Sequence, residues 1–382
     1  MSGSPRPTAP QSRAPRCPAP HRHSVFCVLP PYVLREIARR GTPAQRDAAL
    51  DTLALDTTAR TVRAVLATQL EATRGAVPSV PATSATPAPN RSVYDAGQGE
   101  TLPGTLARGE GQPAVDDVAV NEAYDGLGAT FAFYLDAYGR NSIDNAGLRL
   151  DASVHFGRDY DNAFWDGRQM IFGDGDGTLF NRFTVALDVI GHELTHGVTA
   201  YERDLRYTGQ SGALNEHVSD VFGVLVKQYQ LGQTADQADW LVGAGLLGPS
   251  VQGTALRSMK APGTAYDDPT LGTDPQPAHM DGYVHTAQDN GGVHINSGIP
   301  NRAFYLAASA LGGRAWEKAG RIWYDTIRDP ALRPTSSFAD FATRTVANAG
   351  TAFGPTSPER SAVAEAWAEV GVRVPPGPRG SR

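Results

Sequence analysis

The chain has 382 residues, 41% hydrophobic and 19% charged, a mixture with enough apolar side chains for a sizeable buried core. That composition excludes a fully disordered chain, a collagen-like repeat and a small disulfide scaffold. Lys and Arg number 34 against 40 Asp and Glu, a net charge of −6 that argues against nucleic acid as a partner.

Residues 1–23 read as a disordered leader rich in Pro, Arg and Ser. Apolar residues then recur at helical spacing from Val33 to Leu70, with a break at Gly41-Thr42-Pro43, within a front unit over 24–75. Residues 76–92 are Pro/Ala/Ser/Thr-rich and nearly uncharged, which marks a linker and a domain boundary. The body begins at Val93. A helix is predicted over 118–138 and strands over 151–156 and 168–173, the latter running into the turn-forming GDGDG at 173–177. From residue 184 the pattern is mainly helical: 184–202, 213–230, 297–312, 316–329, 337–349 and 358–370. The fold class is therefore α+β, with strands early and helices late.

Charge divides along the same line. Residues 1–90 hold 11 Arg and 5 acids, a net of +6, which leaves −12 on residues 91–382 and predicts two parts that attract one another. No run approaches the roughly 18 apolar residues of a membrane helix, so no membrane partner is expected. The best apolar run, Val25 to Leu34, is broken by Pro30 and Pro31 and offers no recognisable signal peptide. Both cysteines, Cys17 and Cys27, lie in the front segment, so no disulfide holds the body.

The chemistry is concentrated in Gly191-His192-Glu193-Leu194-Thr195-His196. Histidines four apart share one helical face, so both imidazoles can reach one metal ion, and Glu193 can lean toward a water on that metal as general base. Glu216 is the candidate third ligand. Asp220, one turn later, can accept the second ring N–H of a ligating histidine. His217 points about 100° away from Glu216 and reads as packing or surface.

At this point the segment GHELTHGVTAYERDLRYTGQSGALNEHVSD resembles the zinc-binding region of the thermolysin family of metallopeptidases. YDNAFWDG at 160–167, ALRSMKAPG at 255–263 and QDNGGVHINSG at 288–298 agree with it, and the resemblance spans 93–372. It implies a β-rich N-terminal lobe carrying the zinc helix, 93–212, and a helical C-terminal lobe, 213–382, with the cleft between them. It also implies one catalytic Zn²⁺ on His192, His196 and Glu216, with Asn215 and Asp220 behind the ligands. His294 and Tyr207 would stabilise the oxyanion, and Asp289 would orient His294. Asn162 and Ala163 would hold the substrate backbone, and Arg257 a substrate carbonyl. Phe180, Phe183, Val189, Val242 and Leu256 map onto the primed-side pocket, so cleavage before bulky apolar residues is expected. The two phenylalanines would make that pocket shallow and favour medium-sized side chains. His155, His279 and His285 carry no such context and read as structural.

Two departures from the family carry their own expectations. Asp188 and Asp239 match two carboxylates of a double calcium site, but Lys227, Leu241 and Ala244 stand where calcium-binding members carry glutamate. The double Ca²⁺ site is therefore expected to be absent, with Lys227 bridging the two aspartates. Residues 24–38 (SVFCVLPPYVLREIA) resemble the short prosegment of protealysin-like enzymes. That resemblance implies that 24–34 lies along the cleft in cis, with Cys27, Pro30 and Pro31 inhibitory, until cleavage within 76–92, before Val77, Val80 or Val93. The Cys27 thiolate either ligates zinc or packs among its apolar neighbours. The alternative for the front unit is a helical hairpin packed permanently on the body.

The expected activity is that of a self-processing, monomeric zinc endopeptidase acting on peptides and proteins. The alternatives are an inactive binding protein of the same fold, or a narrow processing protease or toxin. The family is mostly extracellular, and cytoplasmic synthesis of a latent precursor is the alternative.

Overall fold

A computed structural model describes residues 26–73 and 86–374. The leader 1–23 and the bonds before Val77 and Val80 lie outside the described residues. The front unit contributes strand β1 (Phe26–Cys27), helix α1 (Pro31–Arg40) and helix α2 (Pro43–Thr73). Pro31 opens α1, where its missing N–H costs nothing, and Arg39 and Arg40 close it, favouring the negative end of the helix dipole. The buried face of α1 is Pro31, Val33, Leu34 and Ile37.

The N-terminal part of the body is a six-stranded sheet that takes in the front unit's own strand. It is built from β1, β2 (Arg91–Asp95), β3 (Thr105–Gly109), β4 (Leu150–Val154), β5 (Ala163–Trp165) and β6 (Gln169–Phe172), in the order β1-β5-β6-β4-β2-β3. The body therefore starts at β2, two residues before the expected boundary. Val93 is fully buried at the centre of β2, paired with β3 on one side and β4 on the other. The bond before Val93 thus lies inside a paired, buried strand, a less accessible place for cleavage than an exposed linker.

Helix α3 (Val118–Tyr138) matches its expected bounds. Asp117 caps it by accepting from the N–H groups of Ala119 and Val120, and Gly139 ends it at φ 66. Helices α4 (Leu187–Glu202) and α5 (Gly209–Leu231) follow as a tightly crossed pair. The lobe division expected at 212/213 falls inside α5, so the natural break is the short connection between α4 and α5. A Cβ on Gly223 would lie 2.3 Å from the Asp188 carbonyl oxygen and 3.0 Å from the His192 nitrogen, so only glycine permits this crossing. That approach carries Glu216, two turns earlier on α5, to the histidines of α4.

The remaining chain is α6 (Asp289–Asn296), α7 (Gly298–Leu311), α8 (Ala319–Arg328), α9 (Phe338–Phe353) and α10 (Pro358–Glu369). Two small hairpins stand between α5 and α6: β7 (Leu241–Val242) with β8 (Arg257–Ser258), and β9 (Asp267–Asp268) with β10 (Gly272–Thr273). Among the described residues no helix is long and apolar enough to cross a membrane.

Candidate active site

The metal-ligand geometry begins with two histidines whose far ring nitrogens are already committed. His192 Nδ1 lies 2.8 Å from Asp220 Oδ1, and His196 Nδ1 lies 2.8 Å from Asn215 Oδ1 and 3.0 Å from Ser219 Oγ. Hydrogen bonding at Nδ1 turns each Nε2 lone pair inward, and the two Nε2 atoms stand 3.0 Å apart. Glu216 reaches both, with carboxylate oxygens 3.5 Å from each Nε2. Burial, and then the neighbouring His192, holds the His196 pKa well below its usual value, so the ring is a neutral donor.

Asp220 is the hub behind these ligands. Burial opposes its charge, but Arg257 and His192 hold its carboxyl well below the usual carboxylate range. It accepts from Arg257 Nε and Nη2 (3.0 and 2.8 Å) and from Asn301 Nδ2 (2.8 Å). Asn301 also meets His217, which is fully buried and faces away from the ligand cluster. Trp323 Nε1 can only donate, so His217 Nε2 accepts from it at 2.7 Å and His217 Nδ1 carries the proton to Asn301 Oδ1.

Glu193 is fully buried beside the pair. Its Oε2 accepts from the Trp165 N–H at 3.1 Å, while Oε1 is buried with no hydrogen-bond partner. Burial, reinforced by the charge of Glu216, pushes its carboxyl well above the ordinary range. Opposite stands His294, whose Nδ1 lies 2.6 Å from Asp289 Oδ1 and whose backbone N–H bonds the same carboxylate. Asp289 opens α6, in which Asn290, Gly291 and Gly292 all take positive φ; this kinked turn aims the ring inward. Burial works against charge on His294, yet Asp289 and Glu216 outweigh it and raise its pKa. The Tyr207 hydroxyl bridges the two groups, donating to Glu216 Oε1 and lying 3.1 Å from His294 Nε2.

A donor set of two imidazole nitrogens and one carboxylate suits zinc. The facing Nε2 atoms and the orphaned oxygens Glu193 Oε1 and Glu216 Oε2 are what a cation and its water would satisfy. Among the described residues, His192, Glu193 and His196 are the only cluster of three such side chains with donor atoms within 4.8 Å of one another.

Comparison with known proteins decides the family. The catalytic domain of thermolysin metallopeptidases matches residues 83–200, and their alpha-helical domain matches residues 203–372. An extracellular metalloprotease of Pectobacterium carotovorum is 54% identical over 350 residues, 92% of this chain and 97% of that protein. Protease PrtS of Photorhabdus is 47% identical over 355 residues, 91% of this chain and 92% of that protein. The chain belongs to the thermolysin family of metallopeptidases. Among solved structures, the precursor of protealysin, a metalloproteinase from Serratia proteamaculans, superposes with a TM-score of 0.82 at 55% identity, covering 91% of this chain and all of that one. The fold is thermolysin-like, and the chain is a metalloendopeptidase of a family that uses zinc.

Within that thermolysin-like cleft the front unit lies across the site. Strand β1 pairs antiparallel with β5, with Phe26 opposite Trp165 and Cys27 opposite Phe164. Arg257 Nη1 donates to the Val28 carbonyl at 3.0 Å, and Asn162 Oδ1 accepts from the Leu29 N–H at 3.0 Å. Pro30 caps α1 and Pro31 opens it. Of the two alternatives for Cys27, packing agrees with the structure: its side chain lies in an apolar cluster with Phe156, Tyr160, Phe164 and Ile171, and its carbonyl faces His294 at 3.1 Å.

The sequence reading missed the prosegment's second hold. From α2, Thr52 Oγ1 accepts from the Asp161 N–H at 3.1 Å, and Asp56 accepts from the Tyr160 hydroxyl at 2.5 Å and Asn162 Nδ2 at 3.0 Å. Ser219, Asn301 and Trp165 were missed as well. Ser219 lies one turn from Glu216 and was findable by helical spacing; Asn301 and Trp165 are brought in only by tertiary structure. Phe180, Phe183, Val189, Val242 and Leu256, expected to line the primed-side pocket, are all buried in the main core. At the start of α4, Lys227 Nζ lies 2.8 Å from Asp188, 2.9 Å from Asp239 and 2.8 Å from the Leu241 carbonyl.

Proposed function

We propose that the chain is a zinc endopeptidase made as a latent precursor, with zinc held by His192, His196 and Glu216. Zinc bound there supplies a Lewis acid for the scissile carbonyl and lowers the pKa of the attacking water. Glu193, with one oxygen unpartnered and its carboxyl pushed up by burial, takes the water's proton and passes it to the leaving nitrogen. His294, oriented by Asp289, and Tyr207 donate to the oxygen on which charge develops. Asn162, Ala163 and Arg257 bind the substrate backbone as an extended strand. The apolar pocket selects a medium-to-bulky apolar residue after the cut bond, whose burial contributes about 1.5–3 kcal/mol.

The observation that carries this reading is the pair of inward-facing Nε2 atoms beside Glu193, with Asp220 and Asn215 behind them. The two-point hold of β1 and α2 on the cleft supports autoinhibition in cis, relieved by cleavage in 76–92. The Lys227 ammonium between Asp188 and Asp239 supports the absence of the double Ca²⁺ site, since it fills the place a cation would take. We further propose that the enzyme acts outside the cell, as the names of extracellular relatives suggest, and that it is a monomer.

Intact-mass measurement of wild-type and Glu193→Gln protein, with and without a zinc chelator, tests the proposal. Loss of the N-terminal segment only from unchelated wild type is the expected result. Equal processing of both proteins would sink self-maturation.

A further inference from the structure

The prosegment does more than cover the cleft. The groups expected to hold a substrate backbone, Asn162, Ala163 and Arg257, are all engaged by it. Ala163 O accepts from the Val28 N–H at 3.2 Å, Arg257 donates to the Val28 carbonyl, and Asn162 takes the Leu29 N–H. The carbonyl just before Val28, that of Cys27, meets His294 Nε2. Val28 is fully buried in the main apolar core. Its side chain is medium-sized and apolar, the kind expected after the cut bond.

We infer that the Cys27–Val28 peptide bond occupies the scissile register and is hydrolysed by the chain's own site, giving a nicked precursor that stays latent. This rests on the endopeptidase reading above. One water is consumed: its oxygen joins the Cys27 carbonyl carbon, the C–N bond breaks, and the Val28 nitrogen leaves with a proton from Glu193. The products are a Cys27 carboxylate and a Val28 amino terminus.

The nick does not open the cleft, because the Val28 side is continuous with α1 and α2. Four residues of α1 are buried, and Thr52 and Asp56 of α2 still hold residues 160–162. The product therefore remains where the substrate lay, at high effective concentration. Latency ends only when the linker is cut and the helices can leave.

The test incubates zinc-loaded full-length protein and its Glu193→Gln variant, then determines masses and N-termini under denaturing conditions. Casein hydrolysis is followed in parallel, with trypsin-matured enzyme as reference. A chain beginning at Val28 should accumulate from wild type alone, without gain in casein hydrolysis. A synthetic peptide of residues 22–34 should be cut by matured enzyme at the same bond, and a Val28→Asp peptide about a hundredfold more slowly. An intact Cys27–Val28 bond in both precursor and peptide, while matured enzyme degrades casein, would overturn this inference and leave the endopeptidase standing. A nick that persists in Glu193→Gln would assign it to another protease and overturn it too. No casein hydrolysis by matured protein would bring down both readings.

Discussion

The crossing of helices α4 and α5 is flanked by two clusters that contain carboxylates, and the two are neutralised differently. At the start of α4, Asp188 and Asp239 are met by Lys227, a cation built into the chain. A turn further on, His192, His196 and Glu216 leave inward-facing donor atoms with no cation of their own, and the nearby Arg257 is spent on Asp220. A fixed lysine gives permanent stability and no chemistry. An exchangeable cation leaves a position at which water and substrate can bind. Which cluster catalyses is decided by where the chain declines to supply its own positive charge.

Four changes would break or sharpen that contrast. The largest effect is expected from Glu193→Gln, which keeps the shape but removes the base; peptide hydrolysis should fall by about a thousandfold or more with zinc content unchanged. Next is Lys227→Met, which leaves Asp188 buried beside no cation. Denaturant unfolding should show a loss of about 3–5 kcal/mol, with the zinc site intact in the folded fraction. Asp220→Asn comes third: the carboxylate behind His192 is lost, and zinc affinity read by competition with a chelator should weaken about 10- to 100-fold.

The smallest effect concerns His155, between Asp174 and Asp117 in the sheet lobe. The bond to Asp174 leads, burial opposes, Asp117 adds, and the ring's pKa rises to about 9. Because the folded value lies above the unfolded one of about 6.5, this contribution is complete below pH 6.5 and is lost as pH climbs through 9. Tm should drop by a few degrees over that window, and His155→Asn should flatten the drop.

The contrast also shows what the sequence made legible. The residues proposed to hold zinc sit on two continuous helices, so helical spacing alone relates His192 to His196 and Glu216 to Asp220, and the resemblance added His294, Tyr207 and Arg257. The lysine substitution at 227 was readable because the charge change is absolute. Less was legible where the fold depends on backbone pairing between distant segments. Strand β1 is two residues long and β5 three, too short for any alternation to register, so the pairing of Cys27 with Phe164 left no pattern. Strand β2 looked like linker because Arg91 and Ser92 continue its polar composition, although parallel pairing to β4 buries Val93. Asp56 and Thr52 appeared as ordinary polar positions of α2; only docking on residues 160–162 turns them into a clamp.

The central claim is that the two histidines and Glu216 hold a catalytic zinc, with Glu193 as the base. Metal analysis combined with hydrolysis of an apolar peptide by matured wild-type and Glu193→Gln protein addresses it most directly. Stoichiometric zinc in both, with chelator-sensitive hydrolysis in wild type only, is the predicted result. Full activity in Glu193→Gln, or hydrolysis by a wild type stripped of zinc, would contradict it.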